Sequence, residues 1–315
     1  MKTATVNPTP VAPGVGAPAT PAPARRPWWW RLVSEFAESK LALLGLVLLV
    51  LILGAAVAAP WISPQNPYDL GSLDVMDGKL PPGSRAGDGS MTYWLGTDGQ
   101  ARDMLSAILY GLRISLLVGF VTVTLSLLIG MVAGLSAAFF GGWVDALVMR
   151  IVDIQLALPG ILIALVLLSV LGKGVDKIIL ALVIVQWAYF ARAARAAALV
   201  ERDKEYMEAA KCLSLGHART LWVHMLPNCL PPLMALATID LAECIAAEAA
   251  LSFLGVGVPV SEPSLGMLTA NGFDYLMSGR YWISFFPGMA LALTIVAVNL
   301  VGDQLRDVLN PRNAS

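Results

Sequence analysis

Apolar runs long enough to be membrane spans follow one another along this 315-residue chain, separated by short charged segments. The charge-free runs lie between Lys40 and Asp69, Arg113 and Asp145, Asp153 and Lys173, Lys177 and Arg192, Arg219 and Asp240, and Arg280 and Asp303. A helix crossing a bilayer needs about 20 apolar residues, because it rises only about 1.5 Å per residue and must pair its backbone polar groups internally. The pattern therefore predicts an all-α polytopic membrane protein with about six transmembrane helices. The run from Ile178 to Ala191 is the shortest. It is expected to cross by snorkelling of Lys177 and Arg192, or else to form a re-entrant or buried helix. Pro227, Pro231 and Pro232 place the start of the fifth helix near Pro232, from where it carries Asp240 and Glu243 toward Ala250.

Composition agrees with a bilayer solvent: 57% of residues are hydrophobic, 14% are charged and the mean hydropathy is +0.71. A net charge of −1 supplies no basic field for nucleic acid. Cys212, Cys229 and Cys244 form no CxxC pair and read as small apolar fillers. Lys and Arg concentrate in the segments that share a side with the N-terminus, which predicts both termini in the cytoplasm. Residues 1–27 are too proline-rich to bury a core and are expected to be a disordered cytoplasmic tail. Residues 28–62 would hold an interfacial Trp cluster, Trp28 to Trp30, and an uncleaved first span. Residues 63–101 would form an extracytoplasmic loop, 102–302 the core, and 303–315 a cytoplasmic C-terminal tail. Asp303, Arg306 and Asp307 would cap the last helix, and Asp103 to Arg113 would enter the second span as an interfacial helix.

One polar stretch between the apolar runs, YMEAAKCLSLGHARTLWVHMLPN from Tyr206 to Asn228, holds both histidines of the chain. Tyr206, Ala209, Ala210 and Leu213 fall at i, i+3, i+4 and i+7 and predict a helix with one small-residue face. A break at Leu215-Gly216 and a second stripe, Ala218, Leu221, Trp222 and Met225, predict a helix-turn-helix that Pro227 ends. The first face suits a partner's groove, or equally this chain's own spans or lipid headgroups.

The same stretch resembles the EAA loop of bacterial ABC importer permeases, in which EAA is followed at fixed spacing by Gly and by Ile-x-Leu-Pro. Glu208, Ala209, Ala210, Leu226 and Pro227 match, while Ser214 replaces the family's glycine and His224 its isoleucine. The resemblance extends to the C-type permeases of the dipeptide, oligopeptide and nickel group. It includes WLGTDGQARDM, with Gly96, Thr97, Asp98, Arg102 and Asp103 matching and Ala101 in the usual place of Gly. It also includes EAALSFLGVG with Glu248, PSLGML at 263–268, one residue shorter than the family's usual form, and NLVGDQLRDVLNPR with Asn310 where Asp is common. The resemblance implies a MetI-like permease core in the bacterial inner membrane, working by alternating access. Its implied partners are a homologous B-type permease, two ABC ATPases, an extracytoplasmic substrate-binding protein and membrane lipid. The 201–228 loop would engage an ATPase. With serine at the motif's glycine position, Gly216 is expected to carry the left-handed turn.

No GxxxxGK[ST] phosphate loop occurs, so the chain is not expected to be an enzyme. ATP and Mg would sit on partner ATPases, and no cofactor is expected on this chain. Cys212, His217, His224 and Cys229 lack the spacing of a zinc site. Asp240 and Glu243 share a helix face and are candidates for the translocation path, because intramembrane carboxylates must face protein or water. A structural pairing role fits them equally, and Glu248 reads as structural. Two alternatives remain open at this level: a proton-coupled secondary transporter using Asp240 and Glu243, and a non-transporting membrane scaffold.

Overall fold

A computed structural model describes residues 36–69, 71 and 73–309, apart from the side chains of Lys211 and Leu309. The proline-rich tail and the Trp28 to Trp30 cluster lie outside these residues. Among the described residues, five helices are long and apolar enough to cross a membrane: α1 (Lys40–Ile62), α2 (Met104–Phe140), α5 (Val175–Arg202), α7 (His217–Phe253) and α9 (Trp282–Leu309). A sixth crossing is available if the bent pair α3 (Gly142–Leu156) and α4 (Gly160–Leu171) counts as one span, its halves meeting at 86°. Two short helices complete the set, α6 (Glu205–Cys212) and α8 (Leu265–Phe273).

The weak span is thus not the one the run lengths suggest. The short Ile178 to Ala191 run is the middle of 28-residue α5, which continues through its arginines because α3 supplies their counter-charges. Arg195 makes a bidentate contact with Asp145 (2.5 and 2.7 Å), and Arg192 meets Asp153 at 2.5 Å. The break falls instead at Pro159, after α3. Beside it, the Gln155 amide donates to the carbonyl oxygens of Ile184 and Val185 and accepts from the Trp187 indole at 2.9 Å. Three polar contacts thereby fasten the bend to α5. On the opposite side α5 lies against α2, where Gly130 and Gly134 leave no space for a β-carbon before the backbone at Trp187 and Ala191. Absent side chains, not large ones, set that approach.

A second difference concerns the prolines. Instead of stopping at Pro227 and restarting near Pro232, the chain runs as one 37-residue helix through Pro227, Pro231 and Pro232. Residues Thr220–Met225 wind as a π-helix, with the Leu226 N–H reaching Leu221 O. The wider turn relaxes the ring clash, and the Asn228 side chain donates to the exposed carbonyl of His224 at 2.8 Å. At the far end α7 closes in a Schellman turn: Gly255 at φ +80°, Val256 N–H to Leu251 O, and Gly255 N–H to Ser252 O.

The segment between α1 and α2 is not purely irregular. It holds a two-stranded hairpin, β1 (Ser84–Arg85) with β2 (Thr92–Tyr93), paired Ser84 to Tyr93 and Arg85 to Thr92. Buried Asp77 organises it, accepting from the Gly87 N–H and the Tyr93 hydroxyl at 3.0 Å each. The expected interfacial helix is continuous with α2, and Asp103 is its N-cap. Asp303, Arg306 and Asp307 lie within the final turns of α9 and do not terminate it.

The turn after α6 corrects a further expectation. Ser214, not Gly216, is left-handed (φ +52°), and the Leu215 N–H returns to Ala210 O in Schellman fashion. Gly216 is extended (φ −61°, ψ 145°) and precedes α7. The turn geometry thus stays at the motif's glycine position even with a side chain there. Ala101 repeats the case: it too stands at a family glycine and is left-handed (φ +62°). A β-carbon in that conformation costs ~1–2 kcal/mol, partly offset because glycine adds ~0.5–1 kcal/mol of unfolded-state entropy. Ser214→Gly and Ala101→Gly should therefore each stabilise the purified protein by about 0.5 kcal/mol, and Gly216→Ala should not destabilise it through backbone strain. Thermal unfolding in detergent checks this, and destabilisation by both glycines would contradict the assignment.

Candidate functional site

Residues 201–228 form one packed body with the ends of α2 and α5. Met207, fully buried, joins Leu221, Met225 and Cys229 in a cluster with Leu135, Ala194 and Ala198, and Ala210 is buried as well. The base of the loop is polar but satisfied: buried Glu201 accepts from the Tyr206 hydroxyl (2.8 Å) and pairs with Lys204 (2.6 Å), while Arg202 donates to Ala138 O (2.9 Å). Burial, together with the bond to Glu201, pushes the Tyr206 phenol up to about 12. It therefore remains a donor at neutral pH.

This packing divides the predicted face. Tyr206 and Ala210 turn inward with Met207, whereas Glu208, Ala209 and Leu213, the last 73% exposed, turn outward. The reason is Met207, one position off the predicted stripe, whose long side chain fills the gap between α2, α5 and the π-turn. Met207 and Ala210 are spaced i, i+3, and that signal was available in the sequence. Ser214 and Gly216 are exposed at the turn, Leu226 packs at the edge of the cluster, and Pro227 is exposed. His217 stacks edge-on against Phe139 at 5.8 Å. The outward surface of α6 is therefore small, acidic at Glu205 and Glu208, and carried on a rigid base.

Within α7 the two candidate path acids differ. Asp240 is buried and accepts from the Gln186 amide at 2.6 Å. Glu243 is exposed to a cleft of about 230 Å³ between α4, α5 and α7, with Gln186, Tyr189, Ala247 and Leu251 on its walls. Gln186, which lies in the shortest apolar run, is the polar partner that residue counting passed over. Glu248 has no exposure and accepts from Ser115 (3.0 Å) and Ser252 (2.8 Å). Each serine also accepts a backbone N–H, from Leu265 and Val258 respectively. The carboxylate thus ties α2, α7 and both ends of the linker from α7 to α8.

The residues of WLGTDGQARDM form a second hub. Arg102, 2% exposed, pairs with Asp98 at 2.7 Å and donates to Val260 O at 3.1 Å. Thr97 accepts from the Leu80 N–H, donates to Asp77 O, and its carbonyl receives the Trp282 indole. Gly96 packs beneath Leu80 and Trp282, where a β-carbon would collide. Asp103 caps Ser106, and its own N–H bonds to Gln65 after α1. Burial raises the Asp103 carboxyl, and the Ser106 hydrogen bonds oppose that shift.

Comparison with known proteins agrees with this architecture. Residues 126–315 match the family described as binding-protein-dependent transport system inner membrane component, and residues 27–82 match the N-terminal TM domain of oligopeptide transport permease C. The chain is 37% identical to the di/tripeptide transport system permease protein DppC of Pseudomonas aeruginosa (strain UCBPP-PA14), over 93% of each chain. It is 40% identical to the dipeptide transport system permease protein DppC of Escherichia coli (strain K12), over 95% of this chain and 96% of that one. The fold is similar to that of a chain in inward-facing structures of the MetNI methionine ABC transporter, with a TM-score of 0.54 at 20% identity, covering 66% of this chain and 98% of that one. This multi-pass membrane chain belongs to the binding-protein-dependent transport system inner membrane components, the permease subunits of ABC importers, and is not their catalytic subunit.

Proposed function

We propose that this chain is one of two membrane subunits of an ATP-driven importer of dipeptides and short oligopeptides. Its relatives are named for that cargo. It would pair with a homologous B-type permease, receive substrate from an extracytoplasmic binding protein, and rest on two ATPase subunits that carry ATP and Mg. The observation that carries the reading is the α6 body: an exposed Glu208-Ala209-Leu213 surface fastened through Met207 to the ends of α2, α5 and α7. A force applied to that surface is delivered through packed side chains to the ends of three spanning helices, which suits alternating access by rigid-body motion. Asp240 and Glu243 belong in this reading to the wall of the path rather than to a proton-coupling pair, since Gln186 already engages Asp240.

The exposed position of Ala209 makes a clean test. In the complete transporter reconstituted into proteoliposomes, Ala209→Trp should leave insertion and permease pairing intact. It should nonetheless lower ATP-dependent dipeptide uptake by about tenfold or more and reduce co-purification of the ATPases, because bulk is added only outward. Glu208→Ala should act more mildly, since it removes a contact without adding a clash. Normal uptake by Ala209→Trp at normal abundance would reject the coupling role, and uptake by this chain alone under a pH gradient would reject the ATP-driven reading.

Orientation is tested separately. With both termini cytoplasmic, the β1–β2 hairpin faces outward, and exposed Ser90 is a better probe than Gly83, whose φ of +84° disfavours a side chain. Ser90→Cys should react with a membrane-impermeant maleimide in intact cells whose outer membrane is permeabilised, and a reporter fused after Ala314 should read as cytoplasmic. Labelling of Ser90→Cys only after inner-membrane lysis would invert the topology.

A further inference from the structure

A second cleft, of about 290 Å³, opens on the hairpin side of the molecule, where α7 ends and α8 begins. It lies farther along the same helix than the Glu243 cleft: Leu251 borders the inner cleft, and Ser252 and Phe253 border the outer one. Its walls combine apolar and aromatic side chains, Val258, Met267 and the edge-to-face pair Phe253 and Phe273, whose ring centroids lie 5.6 Å apart, with the polar Ser252 and Asn271. Two opposite charges stand on its rim. Lys173 projects from the Gly172-Lys173-Gly174 turn between α4 and α5, and Asp274 follows the last residue of α8. Among the described residues neither side chain has an ion-pair partner, and they do not pair with each other.

The linker that forms one wall is held by buried polar groups. Val258 N–H is held by Ser252 and through it by Glu248, Val260 O is held by Arg102, and Leu265 N–H is held by Ser115. Three fixed points on a short linker preorganise that wall, which lowers the ordering cost of binding. Glu248 and Arg102, fully or almost fully buried, therefore have a purpose beyond joining helices: they shape a cavity.

We propose that this outer cleft is a binding site for a zwitterionic short peptide as it enters the membrane path, with Asp274 taking its ammonium end, Lys173 its carboxylate end and the aromatic wall its side chains. A dipeptide is the ligand whose chemistry fits: two terminal charges of opposite sign, a few ångströms apart, on a largely apolar body. The assignment rests on the peptide-importer reading above and adds to it a specificity contribution from the permease itself.

The test uses the complete transporter with its binding protein in proteoliposomes and radiolabelled glycyl-leucine. Lys173→Gln and Asp274→Asn should each lower uptake by about tenfold, the effect of one lost charged contact. Binding-protein-stimulated ATP hydrolysis should stay within about twofold of wild type, because neither residue belongs to the coupling body. The exchange Lys173→Asp with Asp274→Lys should recover part of the uptake, since a zwitterion offers both charges to either arrangement. Unchanged uptake in both single variants would overturn the site while leaving the importer reading standing. A parallel fall of uptake and ATP hydrolysis would also overturn it, assigning the two charges to docking of the binding protein. Failure of the wild-type complex to move the dipeptide would instead reject the peptide-importer reading on which the site rests.

Discussion

Every backbone N–H and C=O inside hydrocarbon must find a partner in the chain itself, and the rest of this structure follows from that constraint. It forces the apolar runs into long helices, and it dictates what happens wherever a helix is interrupted. At Pro159, where α3 and α4 part, a glutamine and an indole bridge the bend to α5. At Pro227 the helix persists by widening to a π-turn in the preceding residues, with Asn228 covering the His224 carbonyl, and it continues through Pro231 and Pro232. Both solutions spend a polar side chain on backbone carbonyl oxygens.

The same accounting separates the two ends of the molecule. Around α6 the polar groups at the base are paired within the chain, Glu201 with Tyr206 and Lys204, and Arg202 with Ala138, so the outward face is free to meet another protein without loosening its own attachment. Around the hairpin the pairing is denser still. Asp77, Thr97, Asp98, Arg102 and Asp103 are all buried, and their bonds join the segments after α1, after the hairpin and after α7. Burying an ion pair such as Asp98 with Arg102 does not by itself favour stability, because desolvation offsets the attraction. Its value here is positional: it fixes where Val260 and the α7–α8 linker lie.

How much of this was legible follows from which physical signal each feature leaves. The helices were readable because hydrophobic length is a direct consequence of bilayer thickness, and the polar motifs before α2 and around α6 were readable by resemblance. The bent span was misplaced because residue counting treats Lys177 and Arg192 as boundaries, whereas Asp153 makes Arg192 tolerable beyond the apolar run. The stripe drawn through Tyr206 and Ala209 is divided between buried and exposed positions because it passes beside Met207, and only tertiary packing reveals which neighbour is the anchor. The left-handed turn was assigned to Gly216 on the reasoning that glycine goes where φ is positive. Ser214 and Ala101 show that a motif can keep its geometry after losing its glycine, so position in the motif was the better guide. Tertiary partners such as Gln186 for Asp240 leave no local trace at all.

One helix connects these ends. The α7 helix begins with His217 at the α6 body, passes Asp240 and Glu243 in mid-course, and finishes at Glu248, Ser252 and the Gly255 turn. At about 1.5 Å per residue its 37 residues span ~55 Å, enough to reach from one side of a bilayer to the other. Its three prolines lie near the α6 end, just after the π-turn, so any bending is localised in that stretch and the remainder is straight helix. A displacement of α6 must therefore appear at both clefts, since Glu243 and Ser252 border them from the same helix. The Glu248 carboxylate ties the far end of α7 to α2 and to the α7–α8 linker, and Arg102 ties the same linker to Asp98, so that end of the helix is fixed to its neighbours on two sides.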